Sequence, residues 1–238
     1  MSISFIKTKE TKTVMDSKHV FRYVSYLLTG KQSDTQSFKD HDVYYSDKKN
    51  IALEKKGHAD HDKKKKMKEI GYEAMQPGLK SITTAVDIGS GTGYFSAKLS
   101  KQFKHVIGIE PSKNAIGMAK EIFPKSTYKN IEWHNGFAEV ELKKLPMDKP
   151  YFFFTAVVLS HLTDDVVSKI CKELRRSKPK SQLLFAECFG PTHHRYMWHV
   201  RTKQWWQEQL PGWEIDFFGD EIQNVPGRRK CFRAVKRK

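Results

Sequence analysis

The sequence predicts a doubly wound α/β fold with a mostly parallel sheet, and two observations indicate it. Residues 85–95 read AVDIGSGTGYF, an apolar run with an acid near its end, three glycines at alternate positions and the start of a helical pattern. From residue 82 onward, short apolar runs alternate with helical patterns, as in successive βαβ units. A glycine turn between a buried strand and a helix N-terminus lets a ligand approach the main chain.

The predicted elements follow one another at short intervals. The first strand ends at Ile88, and a second apolar strand ends at Glu110. Asp164 and Asp165 open a later helix, because acids favour the first turn. We predict helices over 93–102, 113–122 and 164–176, and further strands over 130–134 and 181–188.

Residues 1–80 differ from this alternation and are predicted to form an N-terminal helical lid, leaving 81–238 as the ligand-binding domain. Ser17 is placed to cap a helix that Gly30 ends, and Pro77 follows a second helical pattern over 62–75. The polar stretch between them, residues 31–50, is predicted to be a loop. Segments of this kind commonly close over a bound ligand.

The spacing of the glycines indicates which ligand the turn holds. A dinucleotide fingerprint places glycines first, third and sixth, whereas Tyr94 occupies the sixth position here and the third glycine is Gly93. Asp87 precedes the turn, and its carboxylate would repel a pyrophosphate. It suits a ligand that carries an ammonium and a sulfonium.

These residues, together with HVIGIE at 105–110, resemble the class I S-adenosylmethionine-dependent methyltransferases. In that family an acid precedes Gly-x-Gly-x-Gly, and a second acid ends the next strand; Glu110 lies 23 residues beyond Asp87. The resemblance implies a Rossmann-like, seven-stranded, mostly parallel sheet with an antiparallel last strand. The stretch 151–162 would be the fourth strand and its turn, and 213–218 and 230–235 the last pair of strands.

The implied cofactor is S-adenosyl-L-methionine, with Glu110 binding the ribose hydroxyls. The expected cofactor-binding residues are Asp87, Gly89, Ser90, Gly91, Gly93, Glu110, Pro111, Gly136, Phe137, Ala138 and Thr155.

The predicted adenine site departs from the family. Where the family has Gly-Asp-Ala, this chain reads Gly136-Phe137-Ala138. We therefore expect adenine to stack on Phe137, with Glu139 or a backbone carbonyl accepting from its amino group.

His161, which follows the fourth strand, is the first candidate for general base, because the pKa of a free imidazole suits catalysis near pH 7. Its alternative role is packing on the following helix. His194 is the second candidate.

The connection after the fifth strand would recognise the acceptor, with Arg195, Trp198 and Arg201 binding it and the arginines pairing with an anion. Alternatively, its tryptophans pack the last helix on the sheet, which is the role expected for Trp205 and Trp213.

The two imidazoles and two acids of His58, Asp60, His61 and Asp62 leave three alternatives open. They could form half of a metal site, line the methyl-transfer cleft, or lie on the surface. No clear partner lies nearby in the sequence to complete such a site, so no metal is predicted.

Composition limits the function classes. The formal net charge of +16 favours an acidic partner, although a solvated lysine-rich surface explains it equally well. No apolar run could span a bilayer and no signal peptide is visible, so no membrane partner is expected. Three cysteines, Cys171, Cys188 and Cys231, suggest buried free thiols in a reducing compartment, and a cytoplasmic location.

The leading prediction is methyl transfer to a small polar or anionic acceptor, at oxygen, such as a sugar or another metabolite. The alternative is a nucleic-acid methyltransferase that uses the basic surface, with RNA as its acceptor. A third class is a cofactor-binding protein without catalysis.

Overall fold

The structure is a computed structural model. It describes Tyr45, residues 52–56, Leu79, and residues 81–156, 158–188, 201–218 and 229–237; for 186–188, 217–218 and 229–232 it describes the backbone alone. The helices predicted near 17–30 and 62–75 lie outside the described residues. Tyr45 and residues 52–56, within the predicted N-terminal lid, are helical, although Tyr45 lies in the stretch 31–50 that was expected to be a loop.

Seven strands form one sheet in the order β3-β2-β1-β4-β5-β7-β6. Strands β1 to β5 pair in parallel, and β7 runs antiparallel to both of its neighbours, β5 and β6. The strands are β1 Thr84–Ile88, β2 His105–Glu110, β3 Ile131–Asn135, β4 Tyr151–Ala156, β5 Gln182–Cys188, β6 Trp213–Phe218 and β7 Arg229–Lys236. The predicted Rossmann-like sheet with an antiparallel last strand is confirmed.

Among the residues that the structure describes, five helices connect the strands. They are α1 Tyr94–Leu99, α2 Lys113–Ile122, α3 Ala138–Lys144, α4 Asp164–Leu174 and α5 Lys203–Gln209, with a 3-10 turn at Leu159–His161. The side chain of Ser112 caps α2 by accepting a hydrogen bond from the backbone amide of Ala115 at 3.0 Å. None of the helices in the described ranges has the length and apolar character needed to span a bilayer.

The sheet is covered on both faces, so its central strands are buried throughout. All five residues of β1 are buried. Val86 and Ile88 belong to one apolar cluster, whereas Ala85 belongs to a second cluster, because alternate side chains of a strand point to opposite faces. Burial on both faces accounts for the near-continuous apolar runs of the sequence.

The element predictions differ from the structure in two respects. Helix α3 was not predicted, because AEVELKK has seven residues and offers too few apolar positions to show helical periodicity. Helices α1 and α4 end earlier than expected, at Leu99 and Leu174. The bounds of α2 agree with the prediction of 113–122.

Candidate functional site

The glycine turn lies at the carboxyl edge of the sheet, between β1 and α1. The backbone amides of Gly89 and Ser90 both donate to the carbonyl oxygen of Ile109, at 2.9 and 3.0 Å. Three glycines of the turn have positive φ, at +71° for Gly89, +51° for Gly91 and +85° for Gly93. The end of β2 therefore anchors a left-handed turn that glycine adopts without strain.

The three glycines of the turn have different structural roles. A Cβ on Gly89 would collide with the side chain of Val158, and one on Gly93 would lie 2.5 Å from Trp133. Of the atoms in the described residues, a Cβ on Gly91 would meet only the hydroxyl of Tyr45, at 3.8 Å. Gly89 and Gly93 thus allow close packing within the protein. Gly91 is the position where the backbone stays accessible to a ligand.

The Glu110 carboxylate lies against this accessible position. Its Oε2 accepts from the backbone amide of Gly91 at 3.1 Å, and its Oε1 accepts from that of Ser112 at 2.9 Å. A carboxylate has about four acceptor sites, which is more than these two bonds use. This geometry fits the ribose contact expected for Glu110.

Asp87 is buried beneath the turn, with 2% of its surface exposed. Its Oδ2 accepts from the hydroxyl of Ser96 at 2.6 Å. Burial raises the pKa of this carboxyl to about 7; the hydrogen bonds from Ser96 oppose the rise, and the charge of Glu110 adds to it. A cationic ligand at the turn would favour the ionised form.

Ser90 provides a test of whether the turn is built for a ligand. Its hydroxyl oxygen is buried and has no hydrogen-bond partner among the described residues. Buried hydroxyl groups are seldom left unsatisfied in folded proteins. The orphaned hydroxyl, the accessible backbone at Gly91 and the carboxylates of Asp87 and Glu110 together fit a polar, cationic nucleoside such as the expected cofactor.

The predicted adenine residues lie at the adjoining end of β3. The side-chain amide of Asn135 donates to the carbonyl oxygens of Glu110 and Pro111, at 3.0 and 2.9 Å, which ties this end of β3 to the end of β2. Phe137 follows as the N-cap of α3 and is 51% exposed. An exposed aromatic ring at the carboxyl edge of the sheet fits the stacking role expected of it. Gly136, which was also expected to bind the cofactor, packs instead against Glu141 of α3. A Cβ on Gly136 would collide with the carboxylate of that residue.

His161 ends the 3-10 turn that follows β4 and is partly buried. Its backbone amide donates to the carbonyl oxygen of Val158 at 3.0 Å, and Val158 packs on Gly89. The turn that carries His161 therefore contacts the glycine turn directly. Thr155 is fully buried within β4, level with Ile88 of β1.

The structure gives Arg201 contacts within the protein. Its Nε donates to the carboxylate of Asp164 at 2.8 Å, and its two terminal nitrogens donate to the carbonyl oxygens of Leu159 and Leu162, at 2.7 and 2.5 Å. The side chain is 3% exposed. Arg201 thus fixes the turn that carries His161, and its expected contact with the acceptor stays a prediction.

Other candidate residues lie outside the described part of the chain: His194, Arg195 and Trp198, and the set His58, Asp60 and His61. Trp205 and Trp213 pack with the core cluster, which confirms the packing role expected for them. Cys171 is a buried free thiol, as predicted, and burial raises its pKa to about 12.

A contact between the N-terminal segment and the glycine turn could not be predicted from any motif. The hydroxyl of Thr92 donates to the carboxylate of Glu54 at 2.9 Å. Lys55 forms an exposed ion pair with Glu121 of α2 at 3.7 Å. Neither Glu54 nor Tyr45 belongs to a motif, and contacts over such separations depend on the tertiary fold.

Comparisons with known proteins agree with this geometry. The structure of the DhpI–SAH complex matches with a TM-score of 0.57 and 18% identity, over 84% of this chain and 97% of that chain. Phosphoethanolamine N-methyltransferase 1 of Haemonchus contortus, in complex with phosphoethanolamine and S-adenosylhomocysteine, matches with a TM-score of 0.53 and 19% identity, over 66% of this chain and 39% of that chain. The YcgJ protein of Bacillus subtilis matches with a TM-score of 0.54 and 15% identity, over 71% of this chain and 98% of that chain. At these identities the likeness concerns the fold.

Residues 85–179 match a family model described as a methyltransferase domain. No curated protein matches the chain significantly. The matched range begins in β1 and contains the glycine turn, Glu110, Phe137 and His161. The resemblance drawn from the sequence is confirmed, and with it S-adenosylmethionine as the cofactor.

Proposed function

We propose that this chain, in which residues 85–179 form an S-adenosylmethionine-dependent methyltransferase domain, transfers a methyl group to an oxygen of a small polar or anionic acceptor. The observation that carries the proposal is the contact between two turns at the carboxyl edge of the sheet. Val158 of the His161 turn packs on Gly89 of the cofactor turn. The imidazole of His161 therefore belongs to a turn that contacts the turn at which a methyl donor would be bound.

The cofactor, when bound, supplies a methyl group on an activated sulfonium leaving group. The protein therefore has to position the acceptor, exclude water and take one proton. We assign the proton to His161: as the acceptor hydroxyl forms its new bond to the methyl carbon, the imidazole receives the hydroxyl hydrogen. Arg201 positions this turn through its bonds to Leu159 and Leu162.

We also propose that residues 1–80 form the lid over the cofactor. The bond from Thr92 to Glu54, and the position of the Tyr45 hydroxyl beside Gly91, support this role. A cover over the transfer site suits a small acceptor, because a closed site excludes water more completely than an open groove. A cytoplasmic location belongs to the same proposal and is supported by the free thiol of Cys171.

Two further observations support a small anionic acceptor. A protein of similar fold is named for phosphoethanolamine, a small phosphorylated molecule. The predicted acceptor segment contains Arg195 and Trp198, which suit an anion and a ring.

The alternative is a nucleic-acid acceptor, for which the net charge of +16 is the favouring observation. A nucleic-acid substrate would need cations at the carboxyl edge, beside the transfer site. The described residues there include the acids Asp87, Glu110 and Asp164, which weakens this alternative.

A transfer assay with a labelled methyl donor tests the proposal. We expect label in a panel of small phosphate monoesters, hydroxy acids and sugars, and none in transfer RNA or oligonucleotides. Label confined to the nucleic acids would contradict it.

His161→Ala tests the assigned base. Loss of a general base typically lowers turnover by about 10²–10⁴-fold, with little change in cofactor affinity. His105→Ala is the matched control, because His105 begins β2 at the opposite edge of the sheet. Equal turnover in the two variants would move the base elsewhere, and His194 would be tested next.

A further inference from the structure

A row of basic side chains follows the edge of the sheet opposite the cofactor turn, where the parallel strands begin. Continuing the strand registers by one or two residues brings Lys104, Lys129 and Lys180 to the same level, with Arg237 beside Lys180. Lys149 lies one residue further out, before β4. All five side chains are exposed. We call these residues, Lys104, Lys129, Lys149, Lys180 and Arg237, the basic row.

The basic row is nearly regular. Five of the six strands from β3 to β7 in sheet order contribute one cation each, and β1 contributes Thr83. Neighbouring strands lie about 4.8 Å apart, so the row spans roughly 24 Å. A linear series of cations over that length matches a polymer with regularly spaced negative charges.

The charges of the row are largely uncompensated within the described residues. Its four lysines form no ion pair there, whereas Arg237 donates to the carboxylate of Glu214 at 2.6 Å. The negative ends of the helix dipoles also point to this edge, but the last turns of α1 to α4 contain their own lysines. The lysines of the row are additional to these, in the loops that precede the strands.

The side chains of the row also indicate the class of partner. The exposed large apolar residues of the described chain are Leu53, Phe137 and Val140, and none belongs to the row. A membrane-binding surface would present apolar anchors between its cations. A single-strand binder would present aromatic rings on which bases stack. Cations without either feature suit the phosphate backbone of a duplex.

We propose that the basic row binds double-stranded nucleic acid through its phosphate backbone, without reading its sequence. The duplex is a docking partner and not the methyl acceptor, because β1 separates the row from the cofactor turn by roughly 17 Å. This inference is independent of which acceptor is methylated. The proposal assigns part of the high positive charge of the chain to one edge of the sheet, where it would bind the phosphates of a duplex.

Fluorescence anisotropy with labelled duplexes of about 20 base pairs, one of RNA and one of DNA, tests the proposal. The variant is Lys104→Glu/Lys180→Glu. The control, Lys169→Glu/Lys203→Glu, changes the net charge equally, at exposed lysines of α4 and α5. We expect the row variant to bind about 10-fold or more weakly at roughly 0.1 M salt, and the control within about twofold of the unmodified protein.

The salt dependence gives a second readout. Losing two phosphate contacts should reduce the slope of log affinity against log salt by about 2 in magnitude, in the row variant alone. Equal losses in both variants would overturn the proposal, because they would reflect total charge. Binding to vesicles that contain phosphatidylserine, without binding to either duplex, would overturn it in favour of a membrane. If the protein binds one duplex more tightly than the other, the comparison identifies RNA or DNA as the preferred partner. Either result supports the proposal.

The outcome can be separated from that of the methyl-transfer proposal. The row variant should bind S-adenosylhomocysteine as the unmodified protein does and should keep its transfer activity. That result also shows that the variant is folded.

Discussion

Glu110 and Gly91 are joined by a hydrogen bond of 3.1 Å, from the backbone amide of the glycine to Oε2 of the carboxylate. The bond links the end of β2 to the one position of the glycine turn where a Cβ would meet no closely packed atom of the part of the chain that the structure describes. A single carboxylate thus shapes the turn and stands beside the space that a ligand would fill.

The first prediction concerns Glu110→Gln. Glutamine keeps one acceptor oxygen, so either the Gly91 or the Ser112 amide loses its partner, and a ribose hydroxyl loses a charged acceptor. Hydrogen bonds to charged groups contribute about 1.5–3 kcal/mol, so we expect affinity for S-adenosylhomocysteine to fall by roughly 10- to 100-fold. Calorimetry measures it, and Glu208→Gln, on the exposed face of α5, is the control. Unchanged affinity in Glu110→Gln would remove Glu110 from the cofactor site.

The second prediction separates the glycines of the turn. Gly91→Ala introduces a left-handed alanine, which costs about 1–2 kcal/mol, and places a methyl group in the ligand space. Gly93→Ala has the same backbone cost and also forces its Cβ against Trp133, for about 1–3 kcal/mol more.

We therefore expect Gly93→Ala to have the lower melting temperature of the two. Gly91→Ala should lose cofactor affinity by about 10-fold or more while staying folded. Thermal melts and calorimetry on both variants measure this difference. The reverse order, with Gly91→Ala the less stable, would contradict the assignment of roles.

The different roles of the three glycines in the turn could not be predicted from the sequence. The spacing of the glycines predicted the turn and its ligand class correctly. It also assigned Gly89, Gly91 and Gly93 alike to the ligand, because the residues that pack on two of them are distant in sequence: Val158 comes from the turn after β4 and Trp133 from β3. Long-range packing of this kind has no local signature.

Elements with strong local signals were predicted closely. Helix α2 has a serine cap and an amphipathic pattern, and its bounds agree with those expected. Asp87 was predicted to face a cationic ligand, but its bond to Ser96 depends on how α1 packs below the turn. The contact of Glu54 with Thr92 spans 38 residues and could be found only in the fold.

The third prediction concerns the pH dependence of stability. The pKa of Asp87 is about 7 in the folded protein, against a reference value of 3.8. Between these values the folded state keeps a proton that the unfolded state has lost. The free energy of unfolding therefore falls as pH rises through this window, by roughly 4 kcal/mol in total.

Asp87→Asn removes this contribution. Between about pH 5 and pH 8, the unmodified protein should lose roughly 2–3 kcal/mol more stability than the variant does. Urea unfolding at the two pH values measures the difference, in which the titration of other groups cancels. Parallel losses in both proteins would show that the carboxyl of Asp87 is ionised throughout.

The fourth prediction tests the adenine site. Phe137 is 51% exposed, so its truncation should cost little stability. Stacking of a base on an aromatic ring contributes about 1–3 kcal/mol, and we expect Phe137→Ala to weaken S-adenosylhomocysteine binding by roughly 10-fold. Val140→Ala, at a position 48% exposed in α3, is the control. Equal affinities for the two variants would place adenine elsewhere.

The central claim is that the turn between β1 and α1, with Asp87 and Glu110 on either side, holds a sulfonium nucleoside. Calorimetry of the full chain with S-adenosylhomocysteine tests it most directly. We predict one binding site per chain, with affinity lost in both Glu110→Gln and Gly91→Ala. Absence of binding by the unmodified protein, or binding that both variants retain, would contradict it.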